Sequence, residues 1–154
     1  MEPYCGIAML NNILVVSGIC RLLLVDYNTG ETAKIIKTGG QPICLHAAGD
    51  KIFYREQTSN ENKELYWYSF TKDNIKDIPL PSIPCSITTL QDGSLYVLCT
   101  DDSVQHVSSN GKQFKTLNKN QAQIFKGCTS IRYNPKQRKM ITTHSSNGIV
   151  KILH

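Results

Sequence analysis

A repeated order of short strands and turns is the feature that most constrains this chain. Four segments begin near Cys5, Cys44, Cys85 and Cys128, at intervals of about 40 residues. Each segment has short runs rich in Val, Ile, Tyr and Thr, bounded by Gly, Asn, Asp or Pro, which is typical of strands and turns. No stretch has apolar residues at a sustained helical period. Since a single repeat of this size cannot bury its apolar face alone, we expect a stacked array of small sheets.

The predicted sheets place the fold in the all-β class, as a β-propeller-like array of about four antiparallel blades in a single domain, 1–154. The blades are expected at residues 4–38, 41–81, 83–118 and 126–154. Asn28-Thr29-Gly30, Asn110-Gly111 and Asn147-Gly148 supply turns that suit positive φ. The last blade has residues for three strands only, so the array is expected to be incomplete or open. Unpaired strand edges of this kind favour self-association.

The charge of the chain is unevenly distributed. From Ser103 to His154 there are nine basic residues and no acidic ones, while eight basic residues face twelve acidic ones before that point. Such an asymmetry indicates an anionic partner. The alternative is that this chain is one sector of a larger molecule, in which the other sectors balance its charge.

The chemistry-bearing residues do not form a catalytic or metal-binding motif. The six cysteines include no C-x-x-C pair, and the four histidines are scattered without metal-ligand spacing. Asp101-Asp102 is interpreted as a solvated turn. The cysteines lie mostly in apolar runs, which predicts free packing thiols in a reducing, cytoplasmic setting. No apolar run is long enough for a membrane helix. We therefore expect no cofactor, no membrane contact and no enzymatic activity.

Several motifs in the second half resemble the NHL-repeat-like propeller of tripartite-motif (RING/B-box/coiled-coil) proteins of the invertebrate type. The matching segments are Val107–Leu117, Ile131–Pro135, Lys139–Ile141 and Asn147–Ile152. The resemblance implies a propeller that recognises a protein partner, or RNA. The sequence shows no RING, B-box or coiled coil, so the resemblance implies no ubiquitin-ligase chemistry for these residues.

The leading functional hypothesis is a non-catalytic module that binds a protein partner through loops on one face of the array. The residues predicted to contact the partner are Asn60, Lys63, Asp101, Asp102, Lys119, Gln121, Lys126, Ser145 and Asn147. The alternative is an RNA-binding propeller in which Lys119 and Lys126 contact phosphates. Lys112, Lys136, Arg138 and Lys139 are assigned to the opposite face, which divides the basic residues. A third hypothesis, a propeller-fold hydrolase or lyase, requires an acidic, histidine or metal cluster that the sequence does not offer.

Overall fold

The computed structural model describes residues 6–144 and 148–153 of the chain. It divides into two compact units, residues 1–77 and 78–154. Both units are built from antiparallel sheets whose strands follow each other in sequence order. This neighbour-to-neighbour pairing is the simplest outcome for strands joined by short turns.

The first unit contains sheet 1 and most of sheet 2, each with four strands. The strands of sheet 1 are β1 (Ile7–Leu10), β2 (Ile13–Gly18), β3 (Arg21–Asp26) and β4 (Thr32–Lys37). Those of sheet 2 are β5 (Gln41–Ala48), β6 (Lys51–Gln57), β7 (Glu64–Ser69) and β8 (Asn74–Pro79). The unit boundary falls within β8.

The second unit contains sheets 3 and 4, which have four and three strands in the described part of the chain. The strands of sheet 3 are β9 (Pro84–Thr89), β10 (Leu95–Cys99), β11 (Val104–Val107) and β12 (Phe114–Thr116). Those of sheet 4 are β13 (Cys128–Asn134), β14 (Lys139–His144) and β15 (Val150–Leu153). A short helix α1 (Lys119–Ala122) and a 3-10 turn (Gln123–Phe125) join the two sheets.

The prediction of four antiparallel sheets is confirmed, with strand ends that differ by one to a few residues from those predicted. β5, β9 and β13 begin at Gln41, Pro84 and Cys128, close to the predicted starts of the second, third and fourth blades. Cys5, near the predicted start of the first blade, lies outside the described residues. Between the predicted third and fourth blades, where Lys119 and Gln121 were assigned to a loop, the chain instead forms α1 and the 3-10 turn.

The core of the first unit follows from the alternation of side chains along sheet 1. Val15 and Leu22 are fully buried and pack with Leu45, Ile52 and Tyr54 of sheet 2. Burial of each such aliphatic side chain contributes about 1.5–3 kcal/mol. Every second residue of β2 and β3 therefore holds sheet 1 against sheet 2.

The connection between β4 and β5 is held by a buried carboxylate. Glu56 accepts a hydrogen bond from the backbone N–H of Gly39 at 3.0 Å, and burial raises the pKa of its side chain. A Cβ atom at Gly40 would lie 2.8 Å from the carbonyl oxygen of Gln57. Glycine at position 40 thus permits a close approach of the connection to the end of β6.

The core of the second unit joins sheets 3 and 4. Leu98, Val104, Phe125 and Ile131 are buried in one cluster with Cys128. The backbone of β13 is held as well, since the N–H of Ile131 donates to Ser86 Oγ at 3.1 Å and that of Tyr133 donates to Thr88 Oγ1 at 2.8 Å. Side-chain hydroxyls of β9 thereby fix the position of β13.

Candidate functional site

A cavity of about 350 Å³ lies in the second unit. Sheet 3 and sheet 4 contribute to its wall. Residues 118–125, which contain α1 and the 3-10 turn and are called here the α1 segment, contribute as well. The lining residues are Tyr96, Leu117, Gln121, Ile124, Phe125, Tyr133, Arg138, Met140 and Leu153. Its volume is at the lower end of the range for binding pockets, and its wall combines apolar and aromatic side chains with few polar groups, as is usual for such pockets.

The α1 segment forms one wall because its start is capped and its end is anchored. Asn118 and Gln121 form a capping box, in which Asn118 Oδ1 accepts from the Gln121 N–H at 2.9 Å and Gln121 Oε1 accepts from the Asn118 N–H at 3.2 Å. Phe125, at the other end, is 2% exposed and meets the Tyr96 ring edge-on at a centroid distance of 6.1 Å. Ile124 is left half-exposed at the cavity.

Arg138 reaches the cavity from the turn between β13 and β14. Asn134 Oδ1 accepts hydrogen bonds from the N–H groups of Lys136 and Gln137, at 3.0 and 3.2 Å, which closes the start of the turn. Arg138 then adopts a left-handed backbone with φ of 52°, the conformation that leads the chain into β14. Arg138 and Gln121 were predicted on opposite faces of the array, whereas both line one cavity in the structure.

The chemistry of this cavity is that of a site for an amphipathic, anionic guest. Apolar groups such as Leu117, Met140 and Leu153 can receive a hydrophobic side chain, and the Arg138 guanidinium can pair with a carboxylate in two-pronged geometry. The sequence from Ser103 onward contains nine basic residues and no acidic ones, which favours an anionic guest.

Two of the predicted loops do lie together in the second unit. Asp102 Oδ1 accepts a hydrogen bond from the Gly127 N–H at 3.1 Å, which places the β10–β11 loop beside Lys126. Asp101 Oδ1 accepts from the N–H and hydroxyl of Ser103, at 3.1 and 2.6 Å, so its carboxylate stabilises its own turn. Lys119 and Lys126 are exposed.

The other predicted contact residues do not join this group. Asn60 and Lys63 are exposed in the β6–β7 loop of the first unit, where Thr58 Oγ1 donates to the carbonyl of Asn60 at 2.8 Å. Ser145 and Asn147 lie outside the described residues. Gln121, although at the cavity, uses its amide oxygen in the helix cap.

Neither the α1 segment nor the cavity that it helps to form was predicted from the sequence. The signal present was Asn118-x-x-Gln121, a capping-box spacing that marks a helix start. The four residues of the helix are too few to show a helical apolar period, so periodicity alone could not reveal it.

A serine and a histidine of sheet 3 lie in hydrogen-bonding contact beside a second, polar depression. His106 Nε2 lies 2.8 Å from Ser94 Oγ, and Ser94 Oγ donates to Asp92 Oδ1 at 2.5 Å. Since the Asp92 carboxylate can only accept, the Ser94 hydroxyl donates to it, which assigns His106 Nε2 as the donor to Ser94. This order is the reverse of that in a serine nucleophile, whose hydroxyl donates to the histidine. The hydrogen bond from Ser94 lowers the pKa of Asp92, and the three groups stabilise the Asp92-Gly93 turn.

A cysteine and a histidine also meet in sheet 4, although the sequence gave no sign of the pair. Cys128 Sγ lies 3.3 Å from His144 Nε2, and both side chains are buried. Burial raises the pKa of the Cys128 thiol, which keeps it protonated rather than as the reactive thiolate. Across 6–144 and 148–153, no three His, Cys, Asp or Glu side chains are grouped so as to hold a metal ion.

Of the described cysteines, Cys20 is exposed, Cys44 and Cys85 are partly buried, and Cys99 and Cys128 are buried. No helix in the described part of the chain has the length and apolar character needed to cross a membrane.

Comparison with solved structures shows the fold. The chain is similar to BBS1N in complex with ARL6DN, in a mercury-soaked crystal, with a TM-score of 0.67 and 18% identity over 99% of this chain and 53% of that one. It is similar to a chain of the mitotic checkpoint complex, with a TM-score of 0.67 and 12% identity over 96% of this chain and 48% of that one. It is also similar to hydrazine synthase of Kuenenia stuttgartiensis, with a TM-score of 0.71 and 14% identity over 99% of this chain and 44% of that one.

These similarities place the chain among β-propeller-like folds. The chain spans about half the length of the solved chains it matches. No family model matches the chain, and no curated protein matches it.

Proposed function

We propose that this chain is a protein-interaction module whose second unit binds a segment of a partner protein. The observation that carries the proposal is the cavity, whose lining combines apolar side chains with Arg138 in a part of the chain that is rich in basic residues. The partner segment that fits has a large apolar residue flanked by acidic ones. The apolar residue enters the cavity, and a flanking carboxylate pairs with Arg138.

Two of the similar solved structures support an interaction role by their nature, since one is a complex of BBS1N with ARL6DN and the other is the mitotic checkpoint complex. Hydrazine synthase is a similar structure with a different role. The proton order at Ser94 and the protonated state of Cys128 favour a binding role over catalysis by these groups. Kinship with NHL-repeat propellers of tripartite-motif proteins is a further part of the proposal, supported by the sequence motifs. A cytoplasmic setting is another, supported by the thiols of Cys20, Cys99 and Cys128.

RNA is the competing anionic partner, and the cavity favours protein over it. RNA-binding surfaces stack exposed bases on aromatic rings and pair phosphates with basic side chains. Of the aromatic residues at the cavity, Phe125 is buried, Tyr96 is partly covered by it, and Tyr133 is half-buried. An apolar cavity with one cation suits an aliphatic or aromatic side chain better than a strand of phosphates.

The proposal is tested with three fluorescein-labelled peptides and the intact chain, by fluorescence anisotropy. The probe is Glu-Asp-Leu-Phe-Asp-Glu, called here the acidic Leu-Phe peptide. The first comparison peptide replaces Leu-Phe by Ser-Ser and keeps the charges. The second replaces the four acids by Lys and keeps Leu-Phe. We expect binding of the first peptide only, since affinity needs both the apolar contact and the charge pair.

Matched variants locate the binding. Arg138→Glu and Ile124→Asp should each weaken binding of the acidic Leu-Phe peptide by about tenfold or more, equivalent to at least ~1.4 kcal/mol. Lys112→Glu makes the same charge change as Arg138→Glu at an exposed position that does not line the cavity, and should have a smaller effect. Equal loss in both charge variants would mean general charge attraction and would refute the cavity as the site.

A single-stranded oligouridylate serves as the RNA probe. If it binds more tightly than the peptide, with a salt dependence that falls by about one unit when Lys119 or Lys126 is replaced by Ala, the RNA hypothesis is correct and the protein proposal is wrong.

A further inference from the structure

The sheet 4 side of the cavity combines a row of paired strand residues with a cation. Tyr133 pairs with Met140 across β13 and β14, and Met140 pairs with Leu153 across β14 and β15. All three line the cavity, so they form one continuous row on a single face of the sheet. Arg138 lines the cavity from the turn that leads into β14. This side therefore offers apolar contact along the row and a guanidinium at the turn.

The α1 segment brings a second polar group to the same cavity. Gln121 and Ile124 are both exposed and both line the cavity. They are three residues apart, and residues at this separation are neighbours on the surface of a helical turn. An amide and an apolar side chain thus lie next to each other on this wall. The described residues that line the cavity include no acidic side chain.

The helix cap determines which atom of the Gln121 amide is available to a guest. A backbone N–H can only donate, so the amide atom that lies 3.2 Å from the Asn118 nitrogen must be the oxygen, Oε1. The Asn118 side chain closes the capping box by accepting from the Gln121 N–H at 2.9 Å. Within residues 6–144 and 148–153, the Gln121 Nε2 atom has no hydrogen-bond partner. Both of its N–H groups can therefore donate to a bound molecule.

We propose that Gln121 is a specificity-determining residue, which together with Arg138 makes the cavity select an acidic side chain of the partner over the corresponding amide. The inference rests on the proposed function and specifies the polar group that the cavity accepts. The Arg138 guanidinium can only donate, and Gln121 uses its acceptor in the cap. A carboxylate accepts at both of its oxygens, whereas the amide of Asn or Gln brings an N–H₂ group that would meet donors.

The contributions of Arg138 and Gln121 differ in their dependence on salt. Arg138 is exposed, so its attraction for an acidic residue is screened as the ionic strength rises. Gln121 is neutral, and its contribution comes from the direction of a short hydrogen bond. The part of the preference for acid over amide that depends on Gln121 should therefore persist at salt concentrations that weaken the attraction to Arg138.

The test compares two labelled peptides by fluorescence anisotropy with the intact chain, at low and at moderate salt. The first is the acidic Leu-Phe peptide. The second is Gln-Asn-Leu-Phe-Asn-Gln, called here the amide Leu-Phe peptide, which keeps the apolar pair and the side-chain shapes and removes the charges. The unaltered chain should bind the acidic peptide at least about tenfold more tightly, because hydrogen bonds to a charged acceptor are the stronger ones.

The informative variant is Gln121→Glu, which replaces the Nε2 donor by an oxygen and keeps the shape of the side chain. Glutamate completes a capping box as well as glutamine does, so the α1 segment should keep its structure. The preference for the acidic peptide over the amide peptide should fall by about tenfold or more. Affinity for the amide peptide should be kept or should rise, because its N–H₂ groups can donate to the new carboxylate.

Asn118→Asp is the matched control. It makes the same change from amide to carboxylate in the same cap and keeps the oxygen that accepts from the Gln121 N–H. Asn118 is not among the residues that line the cavity, so the preference between the peptides should change much less. Thermal unfolding by far-UV circular dichroism verifies that both variants fold. If Gln121→Glu does not fold, Gln121→Met removes the donors without adding a charge and should reduce the preference in the same direction.

A preference that Gln121→Glu leaves unchanged would overturn the inference, and so would an equal reduction by Asn118→Asp. Equal weakening of both peptides by Gln121→Glu would mean that Gln121 has only a structural role, which would also overturn it. In each of these cases the cavity remains the binding site if Arg138→Glu still weakens binding of the acidic peptide. If the unaltered chain binds neither peptide, the proposed function itself is wrong, and this inference fails with it.

Discussion

Replacement of Phe125 by Ala is the sharpest test of how the α1 segment is held in the second unit. Phe125 is 2% exposed, packs in the cluster with Leu98, Val104 and Ile131, and meets the Tyr96 ring edge-on. Removal of a buried phenylalanine side chain costs about 3–5 kcal/mol, which combines the lost burial with the cavity left behind. The free-energy cost should fall in this range because the residues around Phe125 belong to sheets 3 and 4, which limits how far they can collapse into the space left by the ring.

The expected change is large compared with the total stability of a domain, about 5–15 kcal/mol. For a chain of this size, each kcal/mol lowers the midpoint of thermal unfolding by about 2–4 °C, so Phe125→Ala should lower it by about 6–20 °C. Phe114→Ala is the matched control. Phe114 is 39% exposed in β12, and its replacement should cost much less.

The assay is urea unfolding followed by far-UV circular dichroism, with Trp67 fluorescence recorded in parallel. Trp67 is the single tryptophan of the chain and lies in β7, so it reports on the first unit, whereas the dichroism reports on all strands. Phe125→Ala should shift the dichroism transition to lower urea. Equal midpoints for Phe125→Ala and Phe114→Ala would refute the packing of the α1 segment described above.

Three further predictions concern individual groups. Gly40→Ala should destabilise the chain by about 1–3 kcal/mol, because the new Cβ would lie 2.8 Å from the Gln57 carbonyl oxygen, and an unchanged urea midpoint would contradict that close approach. Burial raises the pKa of Glu56, so its native state binds a proton more tightly than the unfolded chain, and its contribution to the free energy of unfolding falls as pH rises above the ordinary value of about 4.3. The free energy of unfolding of Glu56→Gln, relative to that of the unaltered chain, should therefore increase between about pH 4 and about pH 7. A difference that does not change with pH would contradict this sign. Cys20 is exposed, whereas burial raises the pKa of Cys99 to about 12, so a thiol reagent should modify Cys20 in the native state and leave Cys99 unmodified. Cys20→Ser should remove the reaction at that site. Rapid labelling of Cys99 would contradict its burial.

The sheets could be predicted from the sequence because their signals are local. Turns such as Asn28-Thr29-Gly30 and Asn110-Gly111 separate short apolar runs, and positive φ occurs at Gly30 and Gly111 as those turns require. Register within each hairpin follows from the turn and from the apolar alternation. The order of strands therefore needed no information beyond neighbouring segments.

The candidate site could not be predicted in the same way, because it depends on contacts between distant segments. Gln121 and Arg138 come from different connections, and the packing of Phe125 against Tyr96 and in the buried cluster of the second unit brings the α1 segment to the cavity. The Cys128–His144 pair likewise depends on the pairing of β13 with β14, in which the two residues are direct partners. Spacing along the chain indicates neither arrangement.

The most direct test of the central claim is to locate the bound acidic Leu-Phe peptide by NMR on the intact chain labelled at Ile, Leu and Met methyl groups. We expect the largest shifts at the methyl groups of Leu117, Ile124, Met140 and Leu153, which line the cavity. Shifts that leave these methyl groups unchanged and appear only at other positions would contradict the claim that the cavity is the binding site.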